Sequence, residues 1–189
     1  MRISGGRARG IPLVVPKGDR VRPATDGLRQ AAFSSLGAAV TGARFLDLFA
    51  GSGAYGLEAF SRGAAGGVFV EHDPKTVNCL RRNIAAVCRS LGTPAEGQGA
   101  LEVVPADARS VPLGGGGQVP DLVFVDPPYE IITEIAPALF ARLREILVAK
   151  PERIVVFELP GELDLAPEGW RLLKRLGKRA RQPTVAFFR

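Results

Sequence analysis

The residues of this chain whose types and spacing could do chemistry are three carboxylates, a glycine-rich loop and one rigid tetrad. Asp47, Glu71 and Asp107 each stand at or near the end of an apolar run, "RFLDLF", "GGVFVEH" and "LEVVPAD", and a fourth run, "PDLVFVD", leads into Pro127, Pro128 and Tyr129. Between the first two runs lies "FAGSGAYG", in which Gly51, Gly53 and Gly56 have the spacing G-x-G-x-x-G. A loop of that kind can hold the pyrophosphate of a dinucleotide, or a smaller ligand with no phosphate at all. Asp47 separates the two, because a fixed negative charge beside the glycines penalises a pyrophosphate and welcomes a cation. S-adenosylmethionine carries an ammonium and a sulfonium and no phosphate, so it suits these acids better than NAD does. Glu71, twenty residues after Gly51, is spaced to accept hydrogen bonds from both ribose hydroxyls of either ligand, and Asp107 to meet an adenine edge. Any one of these acids alone reads as a helix cap or turn residue. Three at successive strand ends point to a ligand, because open α/β sheets bind ligands at those ends.

The tetrad Asp126, Pro127, Pro128 and Tyr129 suggests the reaction. Two prolines fix two φ angles, so the carbonyls of the loop point in set directions. The Asp126 carboxylate and the Pro127 carbonyl form a pair of acceptors for the two hydrogens of an exocyclic amine, and Tyr129 offers a ring for a planar base to stack on. An aromatic amine is a poor nucleophile because its lone pair is delocalised. Two acceptors that favour a pyramidal nitrogen redirect that pair toward an electrophilic methyl.

Elements must hold these groups in place. Short apolar stretches around "GGRARG" predict a small basic hairpin, and Thr25 or Asp26 caps a helix running to Leu36, with Leu28, Ala32, Phe33 and Leu36 on one face. Helical patterns at 54–62, 74–90 and 131–149 alternate with the four runs above and with "RIVVFEL". Strands apolar on both faces that alternate with helices imply a parallel sheet covered on both sides. "WRLLKRLGKR" and "PTVAFFR" are read as a terminal antiparallel hairpin, and the glycine-rich stretches at 92–99 and 114–117 as surface loops.

Bulk properties bound the rest. The chain has 189 residues, 46% of them hydrophobic, enough for one substantial core. It offers no long apolar span and no secretory signal, which reads as a soluble cytoplasmic protein. Cys79 and Cys88 fit neither a metal knuckle nor a disulfide framework, and the single histidine, His72, has no partner for a metal, so none is expected. The net charge of +6 is unevenly spread: residues 1–30 carry +5, residues 168–189 carry +6 and the middle carries −5. Basic ends around an acidic centre suggest a nucleic acid gripped outside the catalytic core.

The D/N-P-P-Y/F tetrad after "LDLFAGSGAYGLEA" resembles the signature of amino-group methyltransferases that use S-adenosylmethionine. Almost the whole chain is similar to the small-subunit ribosomal RNA guanine-N2 methyltransferases, through "RISGGRARGIPLVVP", "RPATDGLRQAAFSSL", "VFVDPPY" and "PTVAFFR" as well. The resemblance implies a Rossmann-like, seven-stranded class I methyltransferase fold at 41–189. It also implies a hairpin and helix at 1–40 that cover the cofactor and contact RNA. The family's helix start carries Arg where this chain has Gly27 and Glu where it has Gln30. The catalytic set is then Asp126, Pro127, Pro128 and Tyr129. S-adenosylmethionine falls to Asp47, Phe49, Gly51, Ser52, Gly53, Gly56, Glu71, His72, Asp107, Ala108 and Thr25. Ribosomal RNA, met within the small subunit by a monomer, falls to Arg7, Arg9, Arg22, Arg29, Lys178 and Arg179. Three other readings stay open: the same chemistry on adenine N6 of DNA or a protein glutamine, an NAD-linked oxidoreductase, and a non-catalytic RNA-binding factor.

Overall fold

The computed structural model describes residues 1–15, 26–94, 100–113, 119–177 and 182–189. Its helices are α1 (Asp26–Leu36), α2 (Ala54–Ser61), α3 (Pro74–Leu91) and α4 (Ile132–Leu147). Its strands are β1 (Arg44–Leu48), β2 (Gly66–Glu71), β3 (Leu101–Pro105), β4 (Leu122–Val125), β5 (Ile154–Pro160), β6 (Leu172–Leu176) and β7 (Pro183–Phe188). The seven strands form one sheet in the order β3-β2-β1-β4-β5-β7-β6. β1 to β5 run parallel, and β7 lies antiparallel between β5 and β6. The terminal hairpin and the doubly covered sheet follow the sequence reading. β3 and β4 stop at Pro105 and Val125, which leaves Asp107 and Asp126 on loops rather than in strands.

Every residue of β4 is buried, as its uninterrupted apolar run requires of a strand covered on both faces. On one face Phe33 of α1, Tyr55 of α2 and Leu80 of α3 pack with Phe45, Phe69 and Phe124 of the sheet. On the other, Phe140 of α4 stacks on Phe157 at 5.6 Å between ring centroids and meets Phe188 edge-on at 5.1 Å. α3 begins where its sequence says it must: the Asp73 carboxylate accepts from the Thr76 amide at 2.7 Å, Pro74 takes the first turn, and Gly92 closes the helix in the left-handed region. α2 lies so close to its neighbours that two positions demand glycine. A Cβ at Gly53, whose φ is +80°, would come within 2.5 Å of Leu80, and one at Gly56 within 2.3 Å of the Phe69 ring.

The N-terminal segment folds back on itself, with Ile3 N donating to the Ile11 carbonyl at 3.0 Å and Gly10 N to the Ile3 carbonyl at 2.9 Å. Ile3, Ala8 and Leu13 are buried in the same apolar cluster as α1, α2 and α3. Polar contacts fix the hairpin to the end of α2. Arg7 N donates to the Ser61 carbonyl at 2.7 Å, Ala8 N to Ser61 Oγ at 2.9 Å, and Ser4 donates from N and Oγ to the two Glu58 oxygens at 2.7 and 2.8 Å. Glu58 also holds Arg62 at 2.8 Å and Arg29 at 3.4 Å, and both Glu58 and Arg29 are closed to solvent. Among the described residues, no helix is long and apolar enough to cross a membrane.

Removing one partner of a buried ion pair leaves the other uncompensated. Glu58→Ala should therefore cost about 3 to 5 kcal/mol of unfolding free energy in urea titration. It should also speed native-state proteolysis within residues 1–13. Unchanged stability and cleavage would show that the apolar contacts dock the hairpin without Glu58.

Candidate active site

The strand order reverses direction between β1 and β4, and a crevice opens at the carboxyl ends of strands at such a switch point. Register brings the functional residues to it. Leu48 pairs with Val70 on one side and Val125 on the other, and Val125 pairs with Phe157, so Phe49, Glu71, Asp126 and Glu158 emerge side by side.

The glycine loop turns sharply at Phe49, a bulky residue with φ +59°. Left-handed backbone at a non-glycine residue costs on the order of 1 to 3 kcal/mol and persists only where neighbours impose it. Here Ala50 N donates to the Val70 carbonyl at 3.0 Å, Gly53 N to the Ala50 carbonyl at 2.7 Å, and Gly51 N to Glu71 Oε2 at 3.0 Å. Glu71 is 8% exposed and its other oxygen accepts from Asp73 N at 2.9 Å, with His72 Nδ1 at 3.3 Å. Each carboxylate oxygen has capacity for a further donor. His72 itself is 72% exposed at the side chain, on the rim.

Asp126 follows directly on β4 and is partly open to solvent. Burial pushes its carboxyl up to about 7, with the positive charge of Arg29 opposing the rise. Beside it Glu158, 1% exposed, accepts from the Tyr55 hydroxyl at 2.8 Å. Burial first and the neighbouring Asp126 second push Glu158 up to about 9, while Tyr55, Arg29 and the Tyr129 hydroxyl hold it back. Pro127 is buried and Pro128 exposed; Tyr129 opens a 3-10 turn, Tyr129–Ile131, that leads directly into α4. The tetrad is thus rigid, as the prolines demand, but the Tyr129 hydroxyl is turned inward to Glu158 and only part of the side chain is left for a base to stack on.

Several expectations are corrected. Asp47 does not face an open ligand site: it is 1% exposed and its Oδ2 accepts from Gly56 N at 2.9 Å, since the inner turn of α2 needs that acceptor. Burial raises its carboxyl well above the usual range, and Asp126 and Glu71 add to this against the Gly56 bond. Gly56 is buried within α2 and serves packing against Phe45 and Phe69, not ligand contact. Arg29 is not an RNA-facing residue. It is 0% exposed, because it lies on the inward stripe of α1 with Ala32, Phe33 and Leu36. Asp107 is at the predicted place after β3, but Arg109 grips both of its oxygens at 2.6 to 3.0 Å and holds it down at about 2. Ser52 is buried, its carbonyl accepting from Asn83 Nδ2 at 2.9 Å, and Ala108 is buried beneath Asp107. Arg7 and Arg9 are exposed on the hairpin. Thr25, Arg22, Lys178 and Arg179 lie outside the described residues.

Residues that the sequence reading passed over complete the site. Asn83 ties α3 to Ser52 and to both backbone polar groups of Val14, at 2.8 and 2.9 Å. Tyr55 and Glu158 back the tetrad. The signal for Glu158 was an acid inside the apolar run "IVVFELP", because a charged group in a doubly covered strand is buried and must be held by something.

The raised carboxyls make the site a cost to stability at neutral pH. With a folded-state value of about 7, Asp126 keeps a proton in the native chain that the unfolded chain has released above the ordinary carboxylate value, so stability falls as pH rises between the two. Asp126→Asn should match the parent chain at pH 4. Above pH 7 it should melt higher by at least about 2 to 4 °C, the shift that 1 kcal/mol produces in a chain of this size. Equal melting at pH 8 would mean the carboxylate is fully compensated in the fold.

Residues 1–189 match the family described as Conserved hypothetical protein 95. The chain is 40% identical over 129 residues to ribosomal RNA small subunit methyltransferase D of Escherichia coli strain K12; the match takes in 68% of this chain and spans 60% of that relative's length. It is 31% identical over 176 residues to the protein of that name from Haemophilus influenzae, covering 92% of this chain and 86% of the relative. Among solved structures, the yhhF protein of Escherichia coli superimposes with a TM-score of 0.72 at 32% identity, over 100% of this chain and 96% of the other. The chain belongs to the conserved hypothetical protein 95 family, that of the ribosomal RNA small subunit methyltransferase D proteins, and its sheet is the Rossmann-like seven-stranded sheet of class I methyltransferases.

Proposed function

We propose that this chain transfers a methyl group from S-adenosylmethionine to the exocyclic N2 amine of a guanine in small-subunit ribosomal RNA. The observation that carries the reading is the rigid Asp126-Pro127-Pro128-Tyr129 loop beside a glycine loop clamped by Glu71 at one switch point. The names of the family relatives supply the substrate class: both are called ribosomal RNA small subunit methyltransferases.

The residues fit that cofactor. The crevice is lined by carboxylates, and the glycine loop has no lysine or arginine with which to meet a pyrophosphate. Gly51, Phe49 and Glu71 would hold the ribose side, Asp107 and Ala108 the adenine side, and Asp47 would act from beneath the loop through the Gly56 amide. When bound, the cofactor supplies a methyl already activated by its sulfonium. The protein's own contribution is to place the amine, which is where proximity and orientation make most of the rate. Asp126 and the Pro127 carbonyl accept the two amine hydrogens and leave the nitrogen lone pair free for the new N–C bond. As that bond forms, the nitrogen becomes cationic and sheds one proton, and the Asp126 carboxylate, with a value of about 7, is poised to receive it at working pH. Residues 1–40 are proposed to cover the cofactor and contact RNA, with Arg7 and Arg9 presented outward on the hairpin. We assign Arg22, Lys178 and Arg179 to the same basic rim from the sequence alone, and Thr25 to the cofactor cover. The target base must leave its stack to reach the crevice.

The deciding experiment offers labelled S-adenosylmethionine with unmethylated small subunits, free ribosomal RNA or DNA, and maps any labelled nucleotide. Label on a guanine N2 of the small-subunit RNA supports the reading; label on adenine in DNA, or none, overturns it.

Two variants separate cofactor binding from transfer. Glu71→Ala removes the acceptor for the ribose and the clamp on Gly51, so calorimetric titration should show S-adenosylmethionine bound more weakly by about 1 to 3 kcal/mol. Asp126→Ala should keep cofactor affinity and slow single-turnover methylation by roughly a hundredfold to a thousandfold, the usual loss for one preorganised transition-state partner. Near-normal turnover in that variant would remove the tetrad from the chemistry.

A further inference from the structure

The outer face of α3 carries charge that the crevice does not use. Within its 18 residues the helix holds Lys75, Arg81, Arg82 and Arg89 and no acid. By contrast α1 sets Asp26 against Arg29, and α4 sets Glu134 and Glu145 against Arg142 and Arg144. The middle of the chain is acidic as a whole, so this excess is local. Val77, Leu80, Ile84 and Val87 turn inward to the core, with Asn83 beside them. Lys75, Arg82 and Arg89 are exposed on the opposite side. Seven residues make almost two full turns, so these three stand in line at intervals of about 10.5 Å, over about 21 Å in all. Between them the face presents only the short side chains of Asn78, Cys79, Ala85 and Ala86.

Helix stability gives no reason for this stripe. A surface helix laced by ion pairs places acids three or four residues from its cations, and within α3 those positions hold none. Lys75 stands in the first turn, where the helix dipole opposes a positive charge. Asp73, two residues earlier, accepts with Oδ2 from the Thr76 amide and hydroxyl at 2.7 Å each. Among the described residues, the side chains of Lys75, Arg82 and Arg89 have no ion pair and no hydrogen bond. We propose that the outer face of α3 is a binding surface for the sugar-phosphate backbone of the RNA substrate, with Lys75, Arg82 and Arg89 as its phosphate contacts. The inference rests on the reading of this chain as a methyltransferase of ribosomal RNA. A line of cations above short side chains fits a phosphate backbone, which Lys and Arg hold without reading sequence. The apolar side of α3 is closed in the core, so this face has nothing to insert into a lipid surface. It also lacks the aromatic anchors of a protein interface. The stripe begins at the crevice, since Lys75 follows Glu71 by four residues, and Asn83 ties the middle of the helix to the Ser52 carbonyl in the glycine loop at 2.9 Å. RNA held along α3 is thus held in a fixed relation to the site that receives the flipped base.

The test is the binding of small subunits and of free ribosomal RNA by the full chain between about 50 and 200 mM salt, for the parent and for Lys75→Gln, Arg82→Gln and Arg89→Gln combined. Three lost phosphate contacts should flatten the slope of log affinity against log salt by about 2 to 3, roughly 0.7 to 0.9 for each. Affinity for S-adenosylmethionine and single-turnover rate at saturating RNA should stay at the parent values. Cys79 reports the place of contact in the parent chain itself: it lies between Lys75 and Arg82 on the same face, so bound RNA should slow its alkylation, while Cys88 is buried. An unchanged salt slope, or alkylation of Cys79 at its free rate in the RNA complex, would overturn the proposal and leave a solvated face. A variant that loses affinity for assembled subunits yet keeps the parent's affinity and slope on free RNA would overturn it in favour of an acidic protein partner. A parent chain that neither binds nor methylates RNA would instead overturn the reading beneath it.

Discussion

A guanidinium cannot be buried unless acceptors and counter-charges meet it from several sides, and Arg29 sets that condition for the N-terminal third of the chain. The Arg2 carbonyl, Asp26 and Glu58 come from the hairpin, α1 and α2, and all three meet this one side chain. Glu58 in turn must satisfy Ser4 and Arg62, and Ser61 one turn further exchanges hydrogen bonds with Gly5, Arg7 and Ala8. The polar contacts therefore fix where the hairpin sits. The apolar ones, Ile3, Ala8 and Leu13 against the α1 to α3 face, drive it there without choosing its register. A purely apolar interface would tolerate sliding; this one does not, because a shift of the hairpin would strand two buried charges.

The crevice is governed by the opposite problem, too many acids at one end of a sheet. Each is held differently. Asp47 is met by a backbone amide, Glu71 by two amides with the His72 ring beside it, Asp107 by Arg109, and Glu158 by the Tyr55 hydroxyl. Asp126 is partly open to solvent and pushed up by burial, with the positive charge of Arg29 opposing the rise, so it is the carboxylate whose charge is least settled by the fold. That difference is what distinguishes a working group from a scaffold group among residues of one type. A site of this kind gains by a positive charge that enters it, which supports the cationic cofactor of the proposed function.

Much of this was legible in the sequence. Strands apolar on both faces announced the doubly covered sheet, the prolines of the tetrad announced a rigid loop, and acids at strand ends announced the crevice. Burial was harder to read. "DGLRQAAFSSL" offers an apolar face of Leu28, Ala32, Phe33 and Leu36, and a charge tally places Arg29 with the basic end of the chain, yet 29, 32, 33 and 36 have the spacing of one helix face. A charge tally cannot see which way a helix turns a guanidinium. Asp47 was misread for a related reason: alternation along β1 puts it on the same face as Phe45, under α2, whatever stands at the strand's end. Glu58 was invisible because its partners lie far away in sequence, at Ser4 and Arg29.

The tetrad by itself asks only for an amine on a planar group, so it cannot choose between guanine, adenine and an amide. The Tyr129 hydroxyl is buried on the Glu158 side, so it adds no hydrogen-bond code for the base edge. Under the proposed function, choice of substrate must then come from surfaces that meet the RNA before the base arrives. The hairpin bearing Arg7 and Arg9 is one exposed basic surface, and it is anchored to α2 through Glu58 and Ser61.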